Sequence, residues 1–314
     1  LSKPLLLSQD KKRGGGVKPS SAFIRRQMIY NRSKNIEFNT ILCTTGQGLG
    51  NLVQKTPAIK ALREMYPNAQ IDLLVHENQK GLLDDWKVLD NVYTDTNNDY
   101  ELVLNFTPPL WGVGKEGTKK TITCEREKLK RHPEWQVNLK EVLRLKEGFD
   151  KFYDPYFPYV EFERDKGKEI WVGLAHGCGT DWLERKDYGV KRFSECVRML
   201  LDNPKVRIFI LGNGERDRKI RDYLPQTDRV EDCIDRFSIL ETAGIINKCD
   251  CVFGNDTGLI HIASALKVRS VAFFGASSIV KNKPFYGCKV VSKKLECSNL
   301  CQWGQGCEEK PCLD

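Results

Sequence analysis

From residue 38 onward the chain alternates short apolar runs with longer stretches whose apolar residues recur every three or four positions. Phe38 to Cys43 reads as a strand, followed by the loop Thr44-Thr45-Gly46-Gln47-Gly48-Leu49-Gly50. A helix is predicted from Asn51 to Tyr66, where Leu52, Thr56, Ile59, Leu62 and Met65 keep an approximate helical period. Pro67-Asn68 stops it. Ile71 to Val75 and Tyr100 to Phe106 read as the next strands. Residues 115–148 are highly charged and predict one or two exposed helices around Pro133, and the aromatic, proline-rich segment Phe152 to Pro158 reads as a linker. A second series opens near Glu169, with strands at 170–176, 206–211, 251–254 and 270–274 and helices at 190–201, 215–224, 238–249 and 257–266. Short Val/Ile/Phe-rich strands alternating with helices imply parallel sheets covered on both faces. The expected fold class is α/β, two Rossmann-like domains facing across a cleft. The division is a basic leader 1–37, domains 38–160 and 161–287, and a Cys-rich tail 288–314. No internal repeat is evident.

Composition adds limits. With 314 residues, 40 % hydrophobic and 29 % charged, the chain is long enough for two separate cores. No apolar run approaches the ~20 residues of a bilayer span. Leu1 to Leu7 holds a short apolar patch, but Ser8 to Ser21 is polar and basic and lacks a signal-peptide pattern, so the expected compartment is the cytoplasm. Much of the formal net charge of +8 lies in the leader, where Lys3, Lys11, Lys12, Arg13, Lys18, Arg25, Arg26, Arg32 and Lys34 face only Asp10 and Glu37. Such a tail could meet an anionic membrane surface, including the inner face of a membrane, a phosphorylated acceptor or nucleic acid; the plainer and favoured reading is a solvated, partly disordered leader.

The stretch Gly254-Asn255-Asp256-Thr257-Gly258-Leu259-Ile260-His261 places Asp-Thr-Gly where a strand ends and a helix begins. Ligands of open α/β sheets bind at the carboxyl ends of strands, and helix N-termini favour phosphate. Gly258 lets backbone approach a ligand, Thr257 offers a hydroxyl, and Thr257 and His261 share a helix face. The plainer alternatives are a helix cap for Asp256 and a hydrogen-bonded core histidine for His261. Glu215 follows a strand, which suits a ribose hydroxyl, though a solvated first-turn glutamate is the alternative.

Asp256 to Leu266, followed by Phe273-Phe274-Gly275, is similar to the signature of glycosyltransferase family 9, the heptosyltransferases of lipopolysaccharide assembly and their relatives. Gly46-Gln47-Gly48-Leu49-Gly50-Asn51 with Thr56 to Arg63 resembles the family's N-terminal glycine loop and first helix. Val172 to Gly177 resembles the strand opening its donor domain, and Lys186-Asp187-Tyr188 its Lys-Arg-Trp block. The resemblance spans roughly residues 38–313. It implies a GT-B fold, an acceptor-side domain 38–160 and a nucleotide-sugar domain 161–287. It further implies an ADP-heptose-like donor held by Asp256, Thr257, Gly258, His261, Lys186 and Glu215, transfer with inversion, and no cofactor required for catalysis. The acceptor would be a glycan, glycolipid or protein.

Many members close the glycine loop with an aspartate that is the usual candidate for general base on the acceptor hydroxyl, and this chain has Asn51. An amide cannot take a proton at neutral pH. Asp84, Asp85 and Asp99 are candidate substitutes. An inactive sugar-nucleotide or glycan-binding protein and a nucleic-acid-modifying glycosyltransferase are the rival readings. A dinucleotide oxidoreductase is disfavoured, because the glycine loop lacks Gly-x-Gly-x-x-Gly spacing. Among the twelve cysteines, Cys297, Cys301, Cys307 and Cys312 cluster and could hold structural zinc or iron, as in some relatives implied by the resemblance; free thiols and disulfides are the alternatives.

Overall fold

The computed structural model describes residues 36–46, 48–106, 118, 120–123, 126–146, 148, 149, 151, 153–164, 167, 169–178, 186–293, 295, 297, 301, 311 and 312. The leader expectation falls almost wholly outside them, as does Cys307.

The first half builds a parallel sheet from β1 (Thr40–Thr44), β2 (Gln70–Leu74), β3 (Asn91–Tyr93), β4 (Leu102–Asn105) and β5 (Lys120–Thr123), in the order β3-β2-β1-β4-β5. The second builds another from β6 (Ile170–Ala175), β7 (Val206–Leu211), β8 (Val230–Asp232), β9 (Cys251–Asn255), β10 (Ser270–Phe273) and β11 (Cys288–Val291), in the order β11-β10-β9-β6-β7-β8. Every described strand pair is parallel. Both orders are those of doubly wound sheets, which reverse direction between β1 and β4 and between β6 and β9. That reversal opens a crevice at the carboxyl ends of those strands, where ligands of this architecture bind.

The helices are α1 (Leu49–Met65), α2 (Arg126–Leu129), α3 (Glu134–Leu143), α4 (Val190–Leu201), α5 (Glu215–Arg218), α6 (Ile239–Lys248), α7 (Gly258–Ala265) and α8 (Ile279–Asn282). The predicted helix at 215–224 is α5 continued by a 3-10 stretch at Lys219–Tyr223. Helix α6 starts at a reciprocal cap in which the Ser238 hydroxyl accepts from the Glu241 N–H and the Glu241 carboxylate accepts from the Ser238 N–H. Helix α1 is buried on nearly every side, because it lies between the first sheet, α3 and α7. Pro57 deprives the Val53 carbonyl of its helical donor, and the Thr56 hydroxyl donates to it instead at 2.8 Å. The same hydroxyl accepts the N–H of Tyr156 at 2.8 Å, tying the segment that crosses between the halves to α1.

Two expectations need correction. Helix α3 was expected to be exposed, yet Glu134, Val137, Asn138, Leu139 and Val142 are buried. Its charged look hid a glutamate neutralised by a lysine far away in sequence. The proposed tail also begins too early, since Cys288 to Val291 forms the parallel edge strand β11 beside β10.

Candidate active site

The carboxyl ends of β6 and β9 meet through Asn255, the fully buried last residue of β9. Its amide nitrogen donates to the His176 carbonyl just after β6 and, at 3.1 Å, to Asp187 Oδ1. Its amide oxygen accepts the Tyr188 N–H at 3.0 Å. One side chain thus staples the Lys186–Tyr188 segment onto the strand end. Lys186 Nζ consequently lies 2.9 Å from Asp256 Oδ2.

Asp256 also accepts from Asn282 Nδ2 at 3.2 Å, and His261 Nε2 stands 3.8 Å from its other oxygen. Burial alone would push its carboxyl up, but the Lys186 ammonium and then His261 outweigh burial and hold it well below the usual carboxylate range. It is therefore an anion at neutral pH, and it fixes a cation at the mouth of the crevice. The cap of α7 is Thr257, in extended conformation, so Asp256 is not the capping residue. Among the described residues, the Thr257 side chain makes no capping hydrogen bond at this helix N-terminus. Its N–H groups and hydroxyl can therefore serve an anion.

The first turn of α1 lies against that of α7. A Cβ on Gly50 would sit 2.6 Å from the His261 ring, and one on Gly258 would sit 2.7 Å from Leu49 Cβ. Only glycine at both positions allows this approach. Helix α1 likewise starts without a side-chain cap, at Gly48, and has no acidic residue in its first turn. Two uncapped, positive helix ends from the two halves therefore converge. Gln79, which sequence reasoning missed, donates to the Gly46 carbonyl at 2.9 Å and the Gly48 carbonyl at 3.1 Å and fixes the glycine loop.

The structure brings together Gly50, Lys186, Asp256, Thr257, Gly258 and His261. Asn51 is half-buried, with its amide over Gly48. Asp84, Asp85 and Asp99 are exposed. Asp99 precedes β4 and so lies at the end of the sheet opposite the glycine loop. Glu215 is exposed at the start of α5. The buried acid of that loop is Asp217, whose carboxylate fills the space a side chain on Gly177 or Gly212 would need and accepts the Asn213 N–H at 2.8 Å. Burial pushes the Asp217 carboxyl up to about 6 and pushes the neighbouring His176 imidazole down to about 4. Asn255 was legible in principle as the residue ending the strand before Asp256; Asp217 had no such signal.

Cys297 and Cys312 are half-buried and Cys301 is buried. Among the described residues, no three metal-binding side chains gather. Nor is any helix among them long and apolar enough to cross a membrane.

Two Rossmann-like halves with this shared crevice define a GT-B architecture. The chain belongs to glycosyltransferase family 9 (heptosyltransferase), whose sequence profile matches residues 123–312, and it is accordingly a glycosyltransferase. It is 22 % identical over 276 residues to lipooligosaccharide heptosyltransferase 2 of Campylobacter jejuni, covering 79 % of this chain and 86 % of that protein. Its fold is similar to that of the ADP-heptose LPS heptosyltransferase II of E. coli, with a TM-score of 0.63 and 15 % identity over 82 % of this chain and 92 % of that one. It is also similar to the iron-containing dodecameric glycosyltransferase TibC of enterotoxigenic E. coli, with a TM-score of 0.57 and 11 % identity over 85 % of this chain and 65 % of that one.

Proposed function

We propose that this glycosyltransferase moves a heptose from an ADP-heptose-like donor to an acceptor hydroxyl, with inversion at the anomeric carbon. The observation that carries the reading is the uncapped N-terminus of α7 beside Lys186, both facing the crevice between the halves. The acceptor oxygen bonds to the anomeric carbon as the bond to the diphosphate oxygen breaks on the opposite face. Negative charge grows on the departing ADP, and Lys186 with the Thr257–Gly258 helix end stabilises it there. Asp256 keeps Lys186 in place; Thr257 and His261 line the same turn. Asn51 orients the acceptor hydroxyl, and its proton leaves to a base other than Asn51. The ADP-heptose named for the E. coli relative supports the donor class, and the lipooligosaccharide named for the C. jejuni relative supports a glycolipid acceptor reached from the inner face of a membrane. A structural metal on Cys297, Cys301, Cys307 and Cys312 is supported by the four-thiol donor set and by the iron-containing TibC.

Asn51 favours a second reading, a protein that binds the sugar nucleotide without transferring it. A panel of sugar nucleotides, assayed for nucleoside diphosphate release with and without candidate acceptors, separates the two. ADP release from ADP-heptose, reduced at least about a hundredfold in Lys186→Ala, is the expected result. Tight binding without release on any acceptor favours the second reading, and absence of binding rejects the donor site altogether. Metal analysis of the same preparation should give about one iron or zinc per chain, in line with a single four-thiolate site; a metal-free protein removes that part of the proposal.

A further inference from the structure

Glu134 opens α3 and is 1 % exposed. One of its carboxylate oxygens accepts from Lys55, which is fully buried on α1. From the other half, Lys281 on α8 brings its Nζ to 3.1 Å from the second oxygen. Next to this ion pair, Trp135 meets Phe285 edge-on, with ring centroids 4.6 Å apart. Asn282, the neighbour of Lys281, is the residue that donates to Asp256. Lys55 lies one turn after Asn51 on α1. A continuous polar path therefore runs from the cation of the donor crevice through Asp256 and α8 to Glu134, and on to the helix that carries Asn51.

We propose that Glu134 is a positioning residue that couples donor occupancy to the placement of α1, and with it Asn51. The inference rests on the donor reading above. A diphosphate competes with Asp256 for Lys186, so its arrival changes the contacts of Asp256 and thereby those of Asn282. Asn282 and Lys281 share one short helix, so a shift of the first moves the second. Glu134 and Lys55 must follow, because separating a buried carboxylate from its cations is strongly unfavourable. The interface also has a polar deficit in the present arrangement. Gln54 Oε1 on α1 and both amide atoms of Asn138 on α3 are buried without hydrogen-bond partners among the described residues. Each such atom carries a desolvation cost in the present arrangement, which lowers the cost of leaving it.

The test is hydrogen–deuterium exchange of the whole chain with and without ADP-heptose, alongside calorimetric donor affinity, for the wild type, Lys281→Gln and Lys281→Arg. Lys281 is the target because Glu134→Gln removes the carboxylate to which buried Lys55 donates and threatens folding itself. In the wild type the donor slows exchange in α7 and, about fivefold or more, in α3. In Lys281→Gln the slowing persists in α7 and falls below about twofold in α3, with donor affinity retained within about threefold. Lys281→Arg restores the response of α3. A purely structural ion pair would alter the exchange of α3 equally with and without donor, and that result overturns the proposal. It is also overturned by equal protection of α3 in the wild type and Lys281→Gln, or by a donor affinity that collapses in Lys281→Gln, which would make Lys281 a donor ligand. A wild type that does not bind ADP-heptose defeats the donor reading and this inference with it, and calorimetry reports that outcome separately.

Discussion

Asp217 and His176 lie near each other at the strand ends, and burial disfavours the charged form of each. The Asp217 carboxyl is raised from 3.8 to about 6, so the folded protein holds a proton there that the unfolded chain releases. Between those values rising pH therefore lowers stability. The His176 imidazole is lowered from 6.5 to about 4, so the unfolded chain takes up a proton that the folded one refuses. Across that window falling pH lowers stability, and the two slopes oppose one another. Asp217→Asn removes only the first. It should gain stability relative to the wild type as pH rises from 4 to 7, by up to about 3 kcal/mol. Denaturant unfolding at several pH values measures this directly, and a difference that does not vary with pH would show that Asp217 is not titrating in that range. Neither residue's role was legible in the sequence, because the burial of Asp217 needs Gly177, forty positions away, to leave room for its carboxylate beside Gly212. Asp256 and Lys186 were legible because each sits in a recognisable motif, but their 2.9 Å contact joins residues seventy positions apart.

At the scale of elements, the central strands could be read from their apolar runs. β3, β5, β8 and β11 were missed: they are three- or four-residue edge strands with exposed or half-buried side chains, so neither an apolar run nor a clean alternation marks them. The burial of α3 was missed for a different reason, since Glu134 becomes a core residue only by pairing with Lys55 and Lys281. The contact of α1 with α7 shows what the glycine loop does beyond any ligand role. In Gly50→Ala, helix propensity favours the variant by up to about 1 kcal/mol. Overpacking against the His261 ring, 2.6 Å from the new Cβ, costs about 1–3 kcal/mol and should prevail. The variant is expected to be less stable, and its donor affinity should drop because His261 stands beside Asp256. Equal stability and affinity in Gly50→Ala would mean that the two helix ends are not held together in solution.

For the whole molecule, the question is whether the two halves behave as independent units, which is the ordinary expectation for domains joined by a modest polar interface. Here one apolar cluster runs through both: Ile41, Leu52, Ile59 and Leu73 of the first half are continuous with Leu211, Val252, Ile260 and Ile262 of the second. The junction is α1 against α7, reinforced by Glu134 with Lys281 and, at 2.8 Å, by Asp154 with Lys267. The outer face of the second sheet keeps a separate cluster around Phe193, Ile208 and Ile210, so that half does not rely wholly on the junction. Because the shared cluster contains the helices of both halves that build the crevice, losing either half exposes the apolar flank of the other. Thermal unfolding should then follow a single transition reported alike by Trp fluorescence and circular dichroism. ADP at about a hundred times its dissociation constant adds about 2.7 kcal/mol to the folded state. For a chain of this size that raises the midpoint by roughly 4 °C, and one cooperative unit requires the whole transition to move together. Two transitions, with only the later-sequence half responding to ADP, would instead show halves that fold separately and meet only when substrate brings them together.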